Sequence, residues 1–156
     1  MINSISIVIP SYNESENINE VYRRSLEVIK KINIKKYEII FVENGSRDNS
    51  LSLLKKINSE DKSVKIISLS RNFGYQSAIA VGLKYAENDY ICVMDGDLQD
   101  PPELLPDMIS LMEDGAEVVY GQRIQREGET WFKKGTAVLF YWLLRKAVEI
   151  DIPANT

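Results

Sequence analysis

Apolar and polar positions along the chain follow two periods. Short, nearly continuous apolar runs occur at "ISIVIP" (5–10), "YEIIFV" (37–42), "VKIISLS" (64–70), "YICVMD" (90–95) and "EVVYG" (117–121). Between them lie stretches with helical spacing: Ile18, Val21, Tyr22, Leu26, Ile29 and Ile32, then "SLSLLKKI", "QSAIAVGLKYA" and "PELLPDMISLM". The pattern predicts five strands separated by helices, and hence an α/β fold with a doubly wound, mostly parallel sheet and helices on both faces. Strands so uniformly apolar are expected to be covered on both sides.

Ligands of such sheets bind beyond the carboxyl ends of the strands, so the residues just after each run carry the most weight. They are "PSYNE", "ENGSRD", "RNFGY", "DGDLQD" and "GQR". All are polar, and each of the five carries charge.

Composition narrows the chemistry. At 156 residues with 44% hydrophobic and 27% charged positions, the chain is long enough for one well-cored domain. A net charge of −4 argues against a general nucleic-acid binder. Cys92 is the only cysteine and sits in an apolar run, so it reads as a strand residue, and thiolate zinc sites and internal disulfides are excluded. There is no histidine, which removes the commonest general base. The first residues show no basic, apolar and small-residue sequence of a signal peptide, and no apolar run is long enough to span a bilayer. Charge is uneven: between Gln122 and Ala147, six basic residues face Glu127 and Glu129, a local net of +4.

In "DGDLQD", Asp95 and Asp97 are two apart, so at an extended strand end both can face one side, with Gly96 leaving the backbone open to close approach. Two carboxylates with few other ligands suit Mg²⁺ or Mn²⁺, which keep several waters and complete their shell with substrate phosphate oxygens. Gln99 can add a neutral oxygen, and Asp100 is expected to cap the helix that begins at Pro101 and Pro102. In "PSYNE", Pro10 sets the exit direction while Tyr12, Asn13 and Glu14 can hold a nucleobase and ribose; Asn13 or Ser15 can equally cap a helix. Glu43 and Asn44 end the second run and can read base edges, and Asp48 or Asn49 can cap the next helix.

The ordered series "IVIPSYNE", "VENGSRDNS", "LSRNFGYQSA", "VMDGDLQDPPELLPDMI" and "VYGQRIQREGETWFKK" resembles glycosyltransferase family 2, in particular its polyprenyl-phosphate sugar transferase branch of dolichol-phosphate mannose synthase-like enzymes. It covers practically the whole chain. The resemblance implies a GT-A fold with a Rossmann-like nucleotide-binding half, a nucleotide-sugar donor with UDP preferred over GDP, a divalent metal, and inverting transfer to a polyprenyl phosphate. By that analogy Pro10, Tyr12, Asn13, Glu14, Glu43, Asn44, Arg71, Asp95 and Gly96 face the nucleotide, and Asp95, Asp97 and Gln99 the metal. Arg123, with Arg126, Lys133 and Lys134, neutralises donor or acceptor phosphates. Residues 1–121 would form the nucleotide-sugar-binding core and 122–156 a basic, aromatic, acceptor- and membrane-proximal segment of the same domain.

Two departures stand out. The second motif usually opens with two aspartates, where this chain has Glu43 and Asn44. Such proteins usually continue past the point corresponding to Thr156, commonly into two transmembrane helices, so a longer protein at the cytoplasmic face of a membrane is expected. A phosphate acceptor already carries a nucleophilic oxyanion near neutral pH and needs no histidine. The segment "WFKKGTAVLFYWLLRKA" combines aromatic and basic residues, as suits a helix lying in lipid headgroups. The alternatives are a family 2 enzyme acting on a saccharide hydroxyl and a nucleotide-sugar-binding module without turnover. A haloacid dehalogenase-type phosphatase fits poorly, because its later Lys and Asp motifs are missing.

Overall fold

The computed structural model describes residues 2–32 and 34–121. In chain order the elements are β1 (Ser4–Ser11), α1 (Ile18–Lys31), β2 (Lys36–Glu43), α2 (Ser50–Glu60), β3 (Val64–Ser68), α3 (Tyr75–Tyr85), β4 (Tyr90–Val93), a 3₁₀ turn (Pro102–Leu104) and α4 (Leu105–Glu113). The chain divides into two compact units, 1–119 and 120–156. All of the elements above belong to the first. Of the second, only Tyr120 and Gly121 are described. Arg123, Arg126, Lys133, Lys134 and the aromatic, basic segment lie outside the described residues. No described helix is long and apolar enough to cross a membrane.

The strands form one parallel sheet in the order β3-β2-β1-β4. Every residue of β1 and the last six of β2 are buried, as their unbroken apolar pattern requires. Ile5, Ile7 and Ile9 project to one face, where they meet Ile18, Val21 and Ile29 of α1 and Leu54 and Ile57 of α2. Val8, Ile40 and Val42 project to the other, against Ala78 of α3. α3 lies close because Gly82 faces the sheet: a Cβ there would sit 2.2 Å from Val8 Cγ1.

β4 departs from the expected two-sided burial. Ile91 and Val93 are 43% and 40% exposed, because β4 is the edge of the sheet among the described residues and α3 packs over β1 and β2 instead. Its inward residue Cys92 is half-buried against the core, and burial pushes its thiol up to about 11, so it behaves as a packing residue. The expected fifth strand at 117–121 is not formed. Val118 is 79% exposed; an apolar run becomes a strand only when a neighbour pairs with its backbone, and no described strand does so here.

The helix expected from Pro102 starts as the 3₁₀ turn, and its cap is Pro101, with no side-chain capping bond. Asp100 therefore does not cap it. A residue preceding proline is biased away from the helical region, which delays helix entry until after Pro101, itself extended at ψ 131°.

Candidate active site at the sheet's switch point

From β1 the chain moves outward through β2 to β3, then returns to the other side of β1 for β4. The connections leaving β1 and β4 therefore diverge at their carboxyl ends and open a crevice, where open α/β sheets bind ligands. A cavity of about 350 Å³ occupies it. Pro10, Ser11, Tyr12 and Glu14 line it from the β1 loop, Asp95, Gly96 and Asp97 from the β4 loop, Asn44 from β2's end, and Asn72, Gly74 and Tyr75 from the entry to α3. Gly96 allows the two loops to meet: a Cβ there would lie 3.1 Å from the Pro10 carbonyl oxygen and 3.6 Å from Glu14 Cγ.

Asp95 and Asp97, far from Ser11 along the chain, thus share one concave surface with the β1 loop. Each carboxylate has one oxygen engaged by a donor. The Tyr75 hydroxyl donates to Asp95 Oδ1, and the Gln99 N–H donates to Asp97 Oδ1 at 3.0 Å. Burial, the bond to Asp95 and the nearby charges of Asp95, Asp100 and Asp97 push the Tyr75 phenol well above its ordinary value, so it stays protonated and a donor. Leu98 sits at φ 62°, turning its side chain to the core while the chain brings the Gln99 N–H back to Asp97. Gln99 touches the site through this backbone group and does not line the cavity.

The donor set fits a cation of one chemistry. Among the described residues, no cluster of three or more Asp, Glu, Cys or His side chains is suited to a metal, so these residues form no all-protein cage. Two carboxylates, each with a second oxygen not engaged in any described hydrogen bond, match Mg²⁺ or Mn²⁺ completing its shell with water and phosphate.

The β1 and β2 loops hold each other rather than a helix end. Asn13, at φ 57°, accepts from the Arg47 N–H through Oδ1 at 2.8 Å, and its own N–H donates to Ser46 Oγ at 3.0 Å. The Ser15 N–H donates to Asp48 Oδ2 at 3.0 Å. Neither Asn13 nor Ser15 caps α1, whose cap is Asn17, and Asn13 is not on the cavity wall. Asp48 does serve α2's start, accepting from the Ser50 N–H at 3.0 Å. Burial opposes ionisation of Asp48, but bonds from Ser50 and Ser15 outweigh it and hold its carboxyl well below the usual carboxylate range.

Glu43 and Asn44 are 2% and 4% exposed, and the structure gives both internal partners. Glu43 accepts from the Ser46 N–H and, at 3.1 Å, from the Ser68 hydroxyl, and it does not line the cavity. Asn44 donates to Asn72 Oδ1 and the Gly74 carbonyl, both at 3.2 Å, and accepts from the Phe73 N–H at 3.0 Å. It reaches the cavity as the strut of the 72–75 turn. In place of the free edge-reading groups expected at this strand tip, burial on the inner strand β2 requires both side chains to be satisfied within the protein. Arg71 is also off the cavity: its guanidinium stacks 4.5 Å from the Phe73 ring centroid.

Within "RNFGY" the sequence singles out only Arg71, yet Asn72, Gly74 and Tyr75 reach the cavity, as does Ser11. The available signal was topological. β3 is the far strand, and α3 covers β1 and β2, so the connection between them must cross the carboxyl edge.

Residues 6–152 match the family described as glycosyl transferase family 2. An uncharacterised glycosyltransferase, YkcC of Bacillus subtilis, is 50% identical over 97% of this chain and 46% of its own length. The undecaprenyl-phosphate 4-deoxy-4-formamido-L-arabinose transferase of Proteus mirabilis is 38% identical over 94% of the chain and 44% of its own. The chain spans about half the length of the curated relatives it matches. Among solved structures, S. aureus TarS 1–349 with UDP-GlcNAc superposes with a TM-score of 0.57 at 22% identity, over 79% of this chain and 37% of that one. The mannosyltransferase PcManGT of Pyrobaculum calidifontis, with GDP-Man and Mn²⁺, gives 0.61 at 19% identity, over 73% and 33%. These two establish a shared GT-A-like fold.

Proposed function

The chain belongs to glycosyltransferase family 2, and from that premise we propose that it moves a hexose, with inversion, from a nucleotide sugar to a polyprenyl phosphate. One observation carries the donor half: Asp95 and Asp97 open onto the same switch-point cavity as the loop from Pro10 to Glu14. The Proteus relative's polyprenyl-phosphate substrate supports the acceptor class. UDP is the preferred nucleotide, in keeping with the sugar nucleotide bound by TarS, and the cation class agrees with the Mn²⁺ in PcManGT.

Tyr12 and Pro10 would flank the nucleoside, with Asn44 holding the 72–75 turn as the wall opposite. Asp95 and Asp97 would hold Mg²⁺ or Mn²⁺, which when bound supplies positive charge to the diphosphate as it departs. An acceptor phosphate oxygen attacks C1 of the sugar, a new C1–O bond forms, and the C1–O bond to the diphosphate breaks with its electron pair. No proton need be removed from that acceptor, consistent with a chain without histidine. Arg123, Arg126, Lys133 and Lys134 are assigned to acceptor and donor phosphates, with the segment 131–147 at the membrane surface on its cytoplasmic side.

The test pairs binding with turnover. Melting curves with UDP or GDP, each with and without Mn²⁺, are expected to show metal-dependent stabilisation, largest for UDP. Transfer from the corresponding sugar nucleotides by the full-length protein is then followed with a polyprenyl phosphate and with a saccharide acceptor. Transfer only to the saccharide would reject the acceptor, and no stabilisation by either nucleotide would reject the donor site.

A further inference from the structure

Tyr75 has no part in the reaction as described above, yet it is the one side chain of α3 bonded to a proposed metal ligand among the described residues. It stands at the first position of α3 and lines the cavity, and its hydroxyl reaches Asp95 Oδ1, 20 positions later in sequence. The consequence for Asp95 is geometric. A carboxylate with one oxygen fixed by a donor presents its second oxygen in a set direction, and its rotation about χ2 is restrained. Asp97 is restrained in the same way by the Gln99 N–H. The pair is thereby biased toward offering one oxygen from each carboxylate.

That difference separates cations. Mg²⁺ and Mn²⁺ prefer compact octahedral shells and take single carboxylate oxygens well, whereas Ca²⁺ takes six to eight oxygens at longer distance and gains from two-oxygen carboxylate contacts. We propose that Tyr75 is a positioning residue that holds Asp95 in a one-oxygen mode and thereby biases the site toward small divalent cations over Ca²⁺. The inference rests on the metal reading of Asp95 and Asp97 and adds a residue and a selectivity to it.

Tyr75→Phe removes the hydroxyl and keeps the ring. Affinities of the wild type and the variant for Mn²⁺ and for Ca²⁺ are measured by titration calorimetry, with whichever of UDP or GDP stabilises the protein, or with the metal alone if neither does. Loss of a partner bonded to a metal ligand typically weakens binding by about 10- to 100-fold, and a loss toward the lower end of that range is expected for Mn²⁺. Ca²⁺ affinity should fall less or rise, because the released carboxylate can turn to offer both oxygens, so the Mn²⁺ preference narrows. An equal loss for both cations, or no change in Mn²⁺ affinity at an unchanged melting temperature, overturns the proposal while leaving the metal site standing. Failure of the wild type to bind Mn²⁺ under any of these conditions removes the metal reading and this inference with it. Should Tyr75→Phe unfold, Tyr75→Leu, which keeps an apolar side chain at α3's start and has no side-chain donor, gives the same comparison of cations.

Discussion

Arg24 of α1 grips Glu103 at the start of the 3₁₀ turn through two nitrogens, with Nε 2.8 Å from Oε1 and the second contact from Nη2 to Oε2. This fork ties the end of the "DGDLQD" loop to the helix that follows β1. The Arg24 bond is the main cause that lowers the Glu103 carboxyl from its ordinary 4.5 to about 2. Because the folded value is depressed, the stabilisation is present above pH about 4.5 and is lost as pH falls toward 2. Glu103 is half exposed, so solvent screens the pair and its worth is held to about 1 kcal/mol or less. Glu103→Gln is therefore expected to melt slightly below wild type at pH 7, and the two curves should merge near pH 2. A difference that persists undiminished at that pH would show that the charge is not responsible.

Three glycines form a graded series. At Gly115, φ is +104° and a Cβ meets nothing within 4 Å, so Gly115→Ala carries backbone strain alone, about 1 kcal/mol. Gly82→Ala sets a methyl 2.2 Å from Val8 Cγ1, and overpacking of this kind costs about 1–3 kcal/mol. Gly45→Ala combines both, with φ +72° and a Cβ 2.5 Å from the Arg71 backbone, which cannot rotate aside as a side chain can. Urea denaturation should rank stability losses as Gly115 smallest and Gly45 largest.

Asn44 carries the turn at 72–75 on both ends of its amide. Asn44→Ala removes the acceptor of the Phe73 N–H, and loss of this part-buried hydrogen bond costs about 0.5–1.5 kcal/mol. Asn44→Asp should be worse near neutral pH, because it sets a carboxylate oxygen against Asn72 Oδ1 and the Gly74 carbonyl. Both variants are expected to weaken nucleotide binding as well as lower the melting temperature, since Asn72, Gly74 and Tyr75 line the cavity. Unchanged nucleotide affinity in a folded variant would remove this turn from the donor site.

Asp97→Asn keeps the shape of the side chain and halves the acidic donor set. Mn²⁺-dependent nucleotide stabilisation should disappear, and sugar transfer by the full-length protein should fall by about 100-fold or more, the scale on which electrostatic stabilisers of a leaving group act. Transfer at wild-type rates with Mg²⁺ or Mn²⁺ would exclude Asp97 as a ligand.

Periodicity in the sequence is sufficient for four strands, four helices and their order, because burial of an apolar stripe or face needs only local spacing. It also marks the carboxyl-edge loops, so Pro10, Tyr12, Glu14, Asp95, Gly96 and Asp97 are legible as candidate site residues from their positions along the chain alone. Tertiary structure decided what spacing cannot encode. "EVVYG" has a strand's composition but no described pairing partner, and Asp100 lost the cap position to Pro101, which the following Pro102 holds extended at the entry to the turn. Asn13, Glu43 and Asn44 have the side chains of ligand readers, yet neighbouring loops from distant positions claim their hydrogen bonds. Tyr75 reads as an ordinary first residue of a helix until the crossing from β3 to α3 brings its hydroxyl to Asp95. A residue's type sets which bonds it can make, but only the path of the chain determines which partner arrives first.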